Sequence, residues 1–308
     1  MSTPDYLDHR LTEQRNPRTE RIDVASTAEI VDLLQAEDRR IPDAVAQARD
    51  AIVAVIEMVV EAFRRRGRLV YVGAGTSGRL AVLDAAECPP TFGTPPEQVI
   101  GIIAGGPAAL VRSQEGAEDD ADAGAEAIDG HDVSDVDVVV GIAASGTTPF
   151  VRAALERARE RGARTAFVTC SDPPAEIVAT VDAVIAVLVG PEALTGSTRL
   201  KAGTATKLVL NAITTGAMIR SGRAYGNLMV DLMALSDKLH DRGERIVMET
   251  CDVTRAAARQ VIDEAGGSVK LAIVMARRGV DAVAARRLLD EAHGSVRGAA
   301  GDPPSVAS

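Results

Sequence analysis

The 308-residue chain has no tryptophan, three tyrosines and four phenylalanines, so aromatic rings make up only 2% of it. Its core must be packed from Val, Ile, Leu and Ala, as buried parallel strands and their covering helices often are, which favours an α/β fold over a β-sandwich. Cations are short as well: 34 Lys and Arg against 44 Asp and Glu leave a formal charge of -10. Nucleic acids and anionic membranes are held by clustered cations that displace counterions, so neither is an expected partner. Cysteine is scarce, at Cys88, Cys170 and Cys251, an odd number without metal-ligand spacing, and the first ten residues hold no apolar signal core. A reduced, cytoplasmic protein is expected. His9, His131, His240 and His293 are scattered, so no metal is implied, and no other cofactor is expected. Charges break every apolar run well before membrane-spanning length, which excludes a transmembrane helix.

The length fits one large α/β domain with a smaller appendage. Residues 1–26 form a polar arm in which Asn16-Pro17 disfavours helix, and the arm is expected to run over the surface or over a partner subunit. Helical periodicity begins at Thr27, and a second helix is predicted from Pro42 through Ile52, Val55, Ile56 and Val59 to Phe63. Five Val- and Ile-rich runs follow, at 69–72, 99–104, 136–142, 165–169 and 183–188, separated by helical stretches or turns. Continuously apolar strands in strand–helix repeats predict a doubly wound, five-stranded parallel sheet with its ligand site at the strands' carboxyl ends. Helices are expected over 200–219 and 228–239, and three short helical pieces, divided by Gly266-Gly267 and Gly279, over 252–294. The resulting division is an arm (1–26), a main domain (27–241), a small helical domain (242–298) and a disordered tail (299–308).

The first strand runs into Gly73-Ala74-Gly75-Thr76-Ser77-Gly78-Arg79 and then a helix. Glycines let the backbone approach an anion closely, while hydroxyls and unpaired helix N–H groups donate to it. The spacing also fits a dinucleotide loop, but the second strand ends in Ala104-Gly105-Gly106-Pro107 without the acid that would hold a ribose. The third strand leads into Ala144-Ser145-Gly146-Thr147-Thr148-Pro149, a second hydroxyl-rich turn that opens a helix. Taken singly, either turn reads as an N-cap; together they place Ser77, Ser145, Thr147 and Thr148 around one phosphate. A third stretch, 190–204, brings Ser197, Thr198, Glu192, Arg199 and Lys201 to the start of another helix. Lys201 lies in that helix's first turn, where a cation opposes the macrodipole and a nearby anion would account for it.

The paired turns resemble the sugar isomerase (SIS) superfamily, whose hydroxyl loops hold the phosphate of phosphosugars. Within it the chain resembles the N-acetylmuramic acid 6-phosphate etherase family, through Thr12-Glu13-Gln14-Arg15-Asn16-Pro17, Leu83-Asp84-Ala85-Ala86-Glu87-Cys88-Pro89-Pro90, Glu115-Gly116-Ala117-Glu118-Asp119, residues 196–207 and Asn227-Leu228-Met229-Val230-Asp231. Glucokinase regulatory protein shares several of these words, so a non-catalytic sugar-phosphate sensor and an aldose–ketose isomerase stand as alternatives. The resemblance implies a homodimer that acts on a sugar 6-phosphate. It also implies Glu87 as the acid that helps lactate leave and Glu118 as the other acid/base group, while the three loops supply Ser77, Ser145, Thr148, Ser197, Thr198 and Lys201 as candidate substrate-binding residues. Partial burial would raise a glutamate toward neutrality and suit it to both proton transfers.

Overall fold

The structure, a computed structural model, describes residues 10–231 and 237–305. The chain divides into two compact units, residues 1–86 with 97–214 and residues 87–96 with 215–308. This places the boundary inside two helices, earlier than residue 242, and assigns a short stretch of the first half of the chain to the second unit.

In the first unit, α1 (Thr27–Asp38) opens on a capping box: the Ser26 side chain accepts from Glu29 N–H, and the Glu29 carboxylate accepts from Ser26 N–H. The single helix expected from Pro42 is instead two, α2 (Ile41–Gln47) and α3 (Arg49–Arg64), broken at Ala48. Ile52, Val55, Met58, Val59 and Ala62 give α3 a buried face at helical spacing. Full burial of each large member is worth about 1.5–3 kcal/mol over exposure. The chain then runs through β1 (Leu69–Gly73), α4 (Gly75–Phe92), β2 (Val99–Ile103), α5 (Ala108–Val111), α6 (Ala121–Gly130), β3 (Val138–Ile142), α7 (Pro149–Glu160), β4 (Arg164–Thr169), α8 (Ala175–Val178), β5 (Ala183–Ala186) and α9 (Lys201–Arg220).

The five strands are those the sequence predicts, shifted by one or two residues at their ends. They form one parallel sheet in the order β2-β1-β3-β4-β5. The chain moves from β1 outward to β2 and then returns to the other side of β1 as β3, so the strand order reverses between β1 and β3. Gly73 pairs with Ile142 at the carboxyl ends of these strands, which sets the two hydroxyl-rich loops side by side at the switch point. Val70, Val72, Val139, Phe150, Val151, Ala154 and Phe167 share one core beneath the sheet.

The second unit contains a two-stranded antiparallel ladder, β6 (Ala224–Tyr225) with β7 (Leu228–Met229), then α10 (Asp237–Cys251), α11 (Arg255–Glu264), α12 (Val269–Arg278), α13 (Ala282–Glu291) and α14 (Val296–Ala300). The helix expected over 228–239 therefore begins as a strand, because Gly226, at φ +59°, turns the chain into a hairpin; residues 232–236 of that expectation lie outside the described residues. The Gly-divided pieces are α11, α12 and α13. Packing continues past Gly298: Ala299 and Ala300 are buried in this unit's core, and the Tyr225 hydroxyl donates to Gly301 O at 3.0 Å.

Residues 10–25 are not extended, and residues 1–9 of the expected arm, His9 among them, lie outside the described residues. Three short 3-10 turns, Leu11–Glu13, Pro17–Thr19 and Ile22–Val24, carry buried Thr12, Asn16 and Thr19 onto this chain's own first unit. Among the described residues no helix is long and apolar enough to cross a membrane.

Candidate functional site

A cavity of about 280 Å³ opens at the switch point, lined by both loops (Gly75, Thr76, Ser77; Ala144, Ser145, Thr148), by Gly196 and Thr198, and by Glu118, Glu13 and Arg10. Each loop has a local reason to face it. Gly75 sits at φ +52°, a conformation open to glycine, and a Cβ on Gly73 would stand 2.7 Å from Gly78 N. The turn therefore folds back on the strand end, and the first N–H groups of α4 are directed at the cavity. Across the switch point, Thr148 is the N-cap of α7, yet its side chain makes no capping hydrogen bond. Thr148 is among the residues that line the cavity. Ser145 Oγ lies 3.4 Å from Thr147 Oγ1, a short ladder of hydroxyls along the loop.

Glu118 comes to the same cavity from a turn and not from the solvated helix face that its acidic run, 115–122, would otherwise suggest. α6 begins only at Ala121, where Asp120 accepts from Ala123 N–H. The Glu118 carbonyl accepts from Phe150 N–H at 3.0 Å, which ties it to the first turn of α7 beside the Ser145 loop. Its side chain is exposed.

The third loop is split. Thr198 lines the cavity, whereas Ser197 is half-buried and is not among the lining residues. Gly203 holds the loop close to the first, since a Cβ there would meet Thr76 Cγ2 at 3.4 Å. Lys201 is absent from the lining too. It is 1% exposed, and its Nζ lies 2.5 Å from Oε2 of Glu37, itself 2% exposed. The anion that accounts for Lys201 thus belongs to this chain. Glu37 also accepts from Arg18 and from the Asn16 amide, at 2.9 Å for the latter. The hydrogen bond from Arg18, outweighing burial, with those from Lys201 and Asn16, holds its carboxyl down at about 2. The N-terminus of α9 is occupied as well: Glu192, fully buried, accepts from Lys201 N–H at 3.0 Å and Ala202 N–H at 2.9 Å. Desolvation pushes the Glu192 carboxyl above its ordinary range.

Glu87 lies on α4, which runs unbroken from Gly75 to Phe92 with Pro89 and Pro90 inside it. It is not the helix-end residue that Cys-Pro-Pro suggests. Twelve residues separate Gly75 from Glu87, about 18 Å along a helix at 1.5 Å per residue. Glu87 is exposed. One turn earlier, Asp84 is buried, and desolvation raises its pKa against opposing hydrogen bonds from Thr214 and Tyr71. Beyond Glu87 the helix is stopped by Gly93, at φ +61°, whose N–H donates to Pro89 O. Its last turn is held by Arg223 Nη1, which donates to Phe92 O at 2.8 Å.

Among the polar side chains lining the cavity, those that sequence reasoning did not assign to the site are Arg10 and Glu13. Thr12-Glu13-Gln14-Arg15-Asn16-Pro17 was visible as a motif, but spacing carries no sign that a segment so far from the loops returns to them.

Residues 51–159 match the family described as the glucokinase regulatory protein N-terminal SIS domain. Two curated relatives are N-acetylmuramic acid 6-phosphate etherases. That of a Picosynechococcus species is 51% identical over 276 residues, 89% of this chain and 91% of its own. That of Crocosphaera subtropica is 52% identical over 267 residues, 87% of each chain. Among solved structures, the phosphoheptose isomerase of Neisseria gonorrhoeae aligns with a TM-score of 0.45 at 18% identity, covering 62% of this chain and 97% of its own.

Proposed function

The chain belongs to the N-acetylmuramic acid 6-phosphate etherase family, and from that premise we propose that its reaction runs in the cavity between the β1 and β3 loops. The enzyme is a carbon–oxygen lyase that cleaves the D-lactyl ether of N-acetylmuramic acid 6-phosphate to N-acetylglucosamine 6-phosphate and D-lactate. Ser77, Ser145 and Thr148, with the N–H groups opening α4 and α7, hold the 6-phosphate, and Thr198 closes one side. Two helix N-termini and hydroxyl donors suit a dianion in a chain that offers few cations there.

With the sugar ring open, the C1 aldehyde acidifies the C2 proton. A base takes that proton, an acid protonates the lactyl oxygen as the C3–O bond breaks, and water then adds to the enal. Glu118 and Glu87 are the acid/base pair, with Glu87 helping lactate leave. The observation that carries the assignment is that Glu118 lines the same cavity as both phosphate loops.

Glu87, about three turns along α4 from that cavity, serves the site of a second chain in a homodimer. A two-fold interface exchanges one such residue in each direction. Both glutamates are exposed in the single chain, so excluding water from them falls to the partner and the substrate. A cytoplasmic location suits the phosphorylated substrate and cysteines that form no disulfide. Incubation with N-acetylmuramic acid 6-phosphate should release D-lactate; binding without release would reduce the protein to a sensor, and a ketose product would make it an isomerase.

A further inference from the structure

The elimination needs one proton transfer for which neither Glu87 nor Glu118 is committed. C2 becomes acidic only once the pyranose ring opens, and opening moves a proton from the C1 hydroxyl to the ring oxygen. The cavity holds a second carboxylate of its own chain, Glu13. Its Oε1 accepts from the Thr12 hydroxyl at 3.1 Å. Its Oε2 lies 3.3 Å from where a Cβ on Gly196 would stand, so the carboxylate rests on the bare backbone of a glycine at φ +77°.

Glu13 is held from behind by a costly arrangement. Gly196 N–H donates to Thr12 O at 3.0 Å, the Thr19 hydroxyl donates to Ala193 O at 2.8 Å, and the Asn16 amide donates to Pro191 O at 3.0 Å. Behind these sits the Lys201–Glu37 pair, both members almost completely buried, with Arg18 adding a second cation to Glu37. Burying such charges costs several kcal/mol per ion before their attraction offsets it, which a segment serving only as surface cover would not require. Arg10 and Glu13 are the residues of that segment lining the cavity, and only Glu13 can accept a proton.

Resting on the etherase reading above, we propose that Glu13 is the acid/base of ring opening. The C1 hydroxyl gives its proton to the Glu13 carboxylate. The C1–O5 bonding pair goes to O5 while the C1 carbonyl forms, and Glu13 returns the proton to O5. Charge is conserved and no further reactant is needed.

Exchange NMR on N-acetylglucosamine 6-phosphate in heavy water separates this step from the chemistry at C2, because interconversion of the anomers reports ring opening and deuterium uptake reports C2. Glu13→Gln keeps the acceptor toward Thr12 but not the proton transfer. It should lose enzyme-accelerated anomer exchange, and with it lactate release, by about 10²–10⁴-fold, with product affinity within about threefold of wild type. Glu13→Asp should recover part of the loss, and Glu118→Gln should lose deuterium uptake while still exchanging anomers. Wild-type anomer exchange in Glu13→Gln, its loss in Glu118→Gln, or loss of product binding in Glu13→Gln would overturn the assignment. A wild-type protein that exchanges anomers but releases no lactate would sink the etherase reading and leave Glu13 in place.

Discussion

At the scale of single residues, the chain's least visible feature was the Lys201–Glu37 pair, whose partners stand 164 positions apart. The sequence shows that Lys201 opposes a helix dipole and needs an anion; it carries no sign that the anion comes from α1. The pair makes an acid-stability prediction with a definite sign. Glu37 is held at about 2 in the folded chain, below its ordinary 4.5. Its contribution is therefore complete above pH about 4.5 and is lost as pH falls toward about 2. Glu37→Gln leaves Lys201 buried without its counter-charge, so it should cost about 3–5 kcal/mol near neutral pH and give a shallower loss of stability across that acid range, read by urea titration at several pH values. The two glutamates proposed as the acid/base pair make a different prediction. Glu87→Gln and Glu118→Gln should each lower lactate release by about 10²–10⁴-fold with sugar-phosphate affinity nearly intact, measured by turnover beside calorimetry. Equal losses of both would mark them as structural.

Elements were legible where one local rule decides them. Apolar continuity located all five parallel strands, and Gly266-Gly267 and Gly279 separated α11, α12 and α13. The α2/α3 break at Ala48 and the hairpin at Leu228 were missed, because a periodic apolar pattern does not record a one-residue interruption or a turn made by Gly226. The loops themselves were readable as anion cradles, although the close approach that shapes them is a packing fact. A Cβ on Gly78 would lie 2.7 Å from Gly73 O and 2.6 Å from Ile103 Cγ1. Gly78→Ala must therefore move the end of β1, and it should cost about 1–3 kcal/mol and weaken sugar-phosphate binding together, checked by thermal melts and calorimetry. At the other end of α4, a Cβ on Gly93 would stand 2.2 Å from Asp231 O at a φ of +61°. Gly93→Ala should disturb the turn that follows Glu87, lowering turnover while leaving phosphate affinity close to wild type.

For the whole molecule, the sequence motifs outran the single chain. Both glutamates are present and the two hydroxyl-rich loops meet at the switch point, yet α4 continues unbroken for twelve positions from Gly75 to Glu87, about 18 Å of helix. The sequence already leaves two readings for Glu87, a helix that ends or bends soon after the first loop or a residue that reaches the site of a neighbouring subunit, and α4 runs on past Glu87 to Phe92. The account therefore rests on a site composed of two chains, with the phosphate loops and Glu118 from one and Glu87 from the other. Mixing two inactive variants tests it. In a heterodimer of Glu87→Gln with Ser77→Asp, one site would pair the intact loops of the first chain with the intact Glu87 of the second. Random exchange at equal amounts should then restore about a quarter of wild-type lactate release, half the dimers being mixed and each holding one whole site. No recovery after verified subunit exchange would confine each site to one chain and contradict the account.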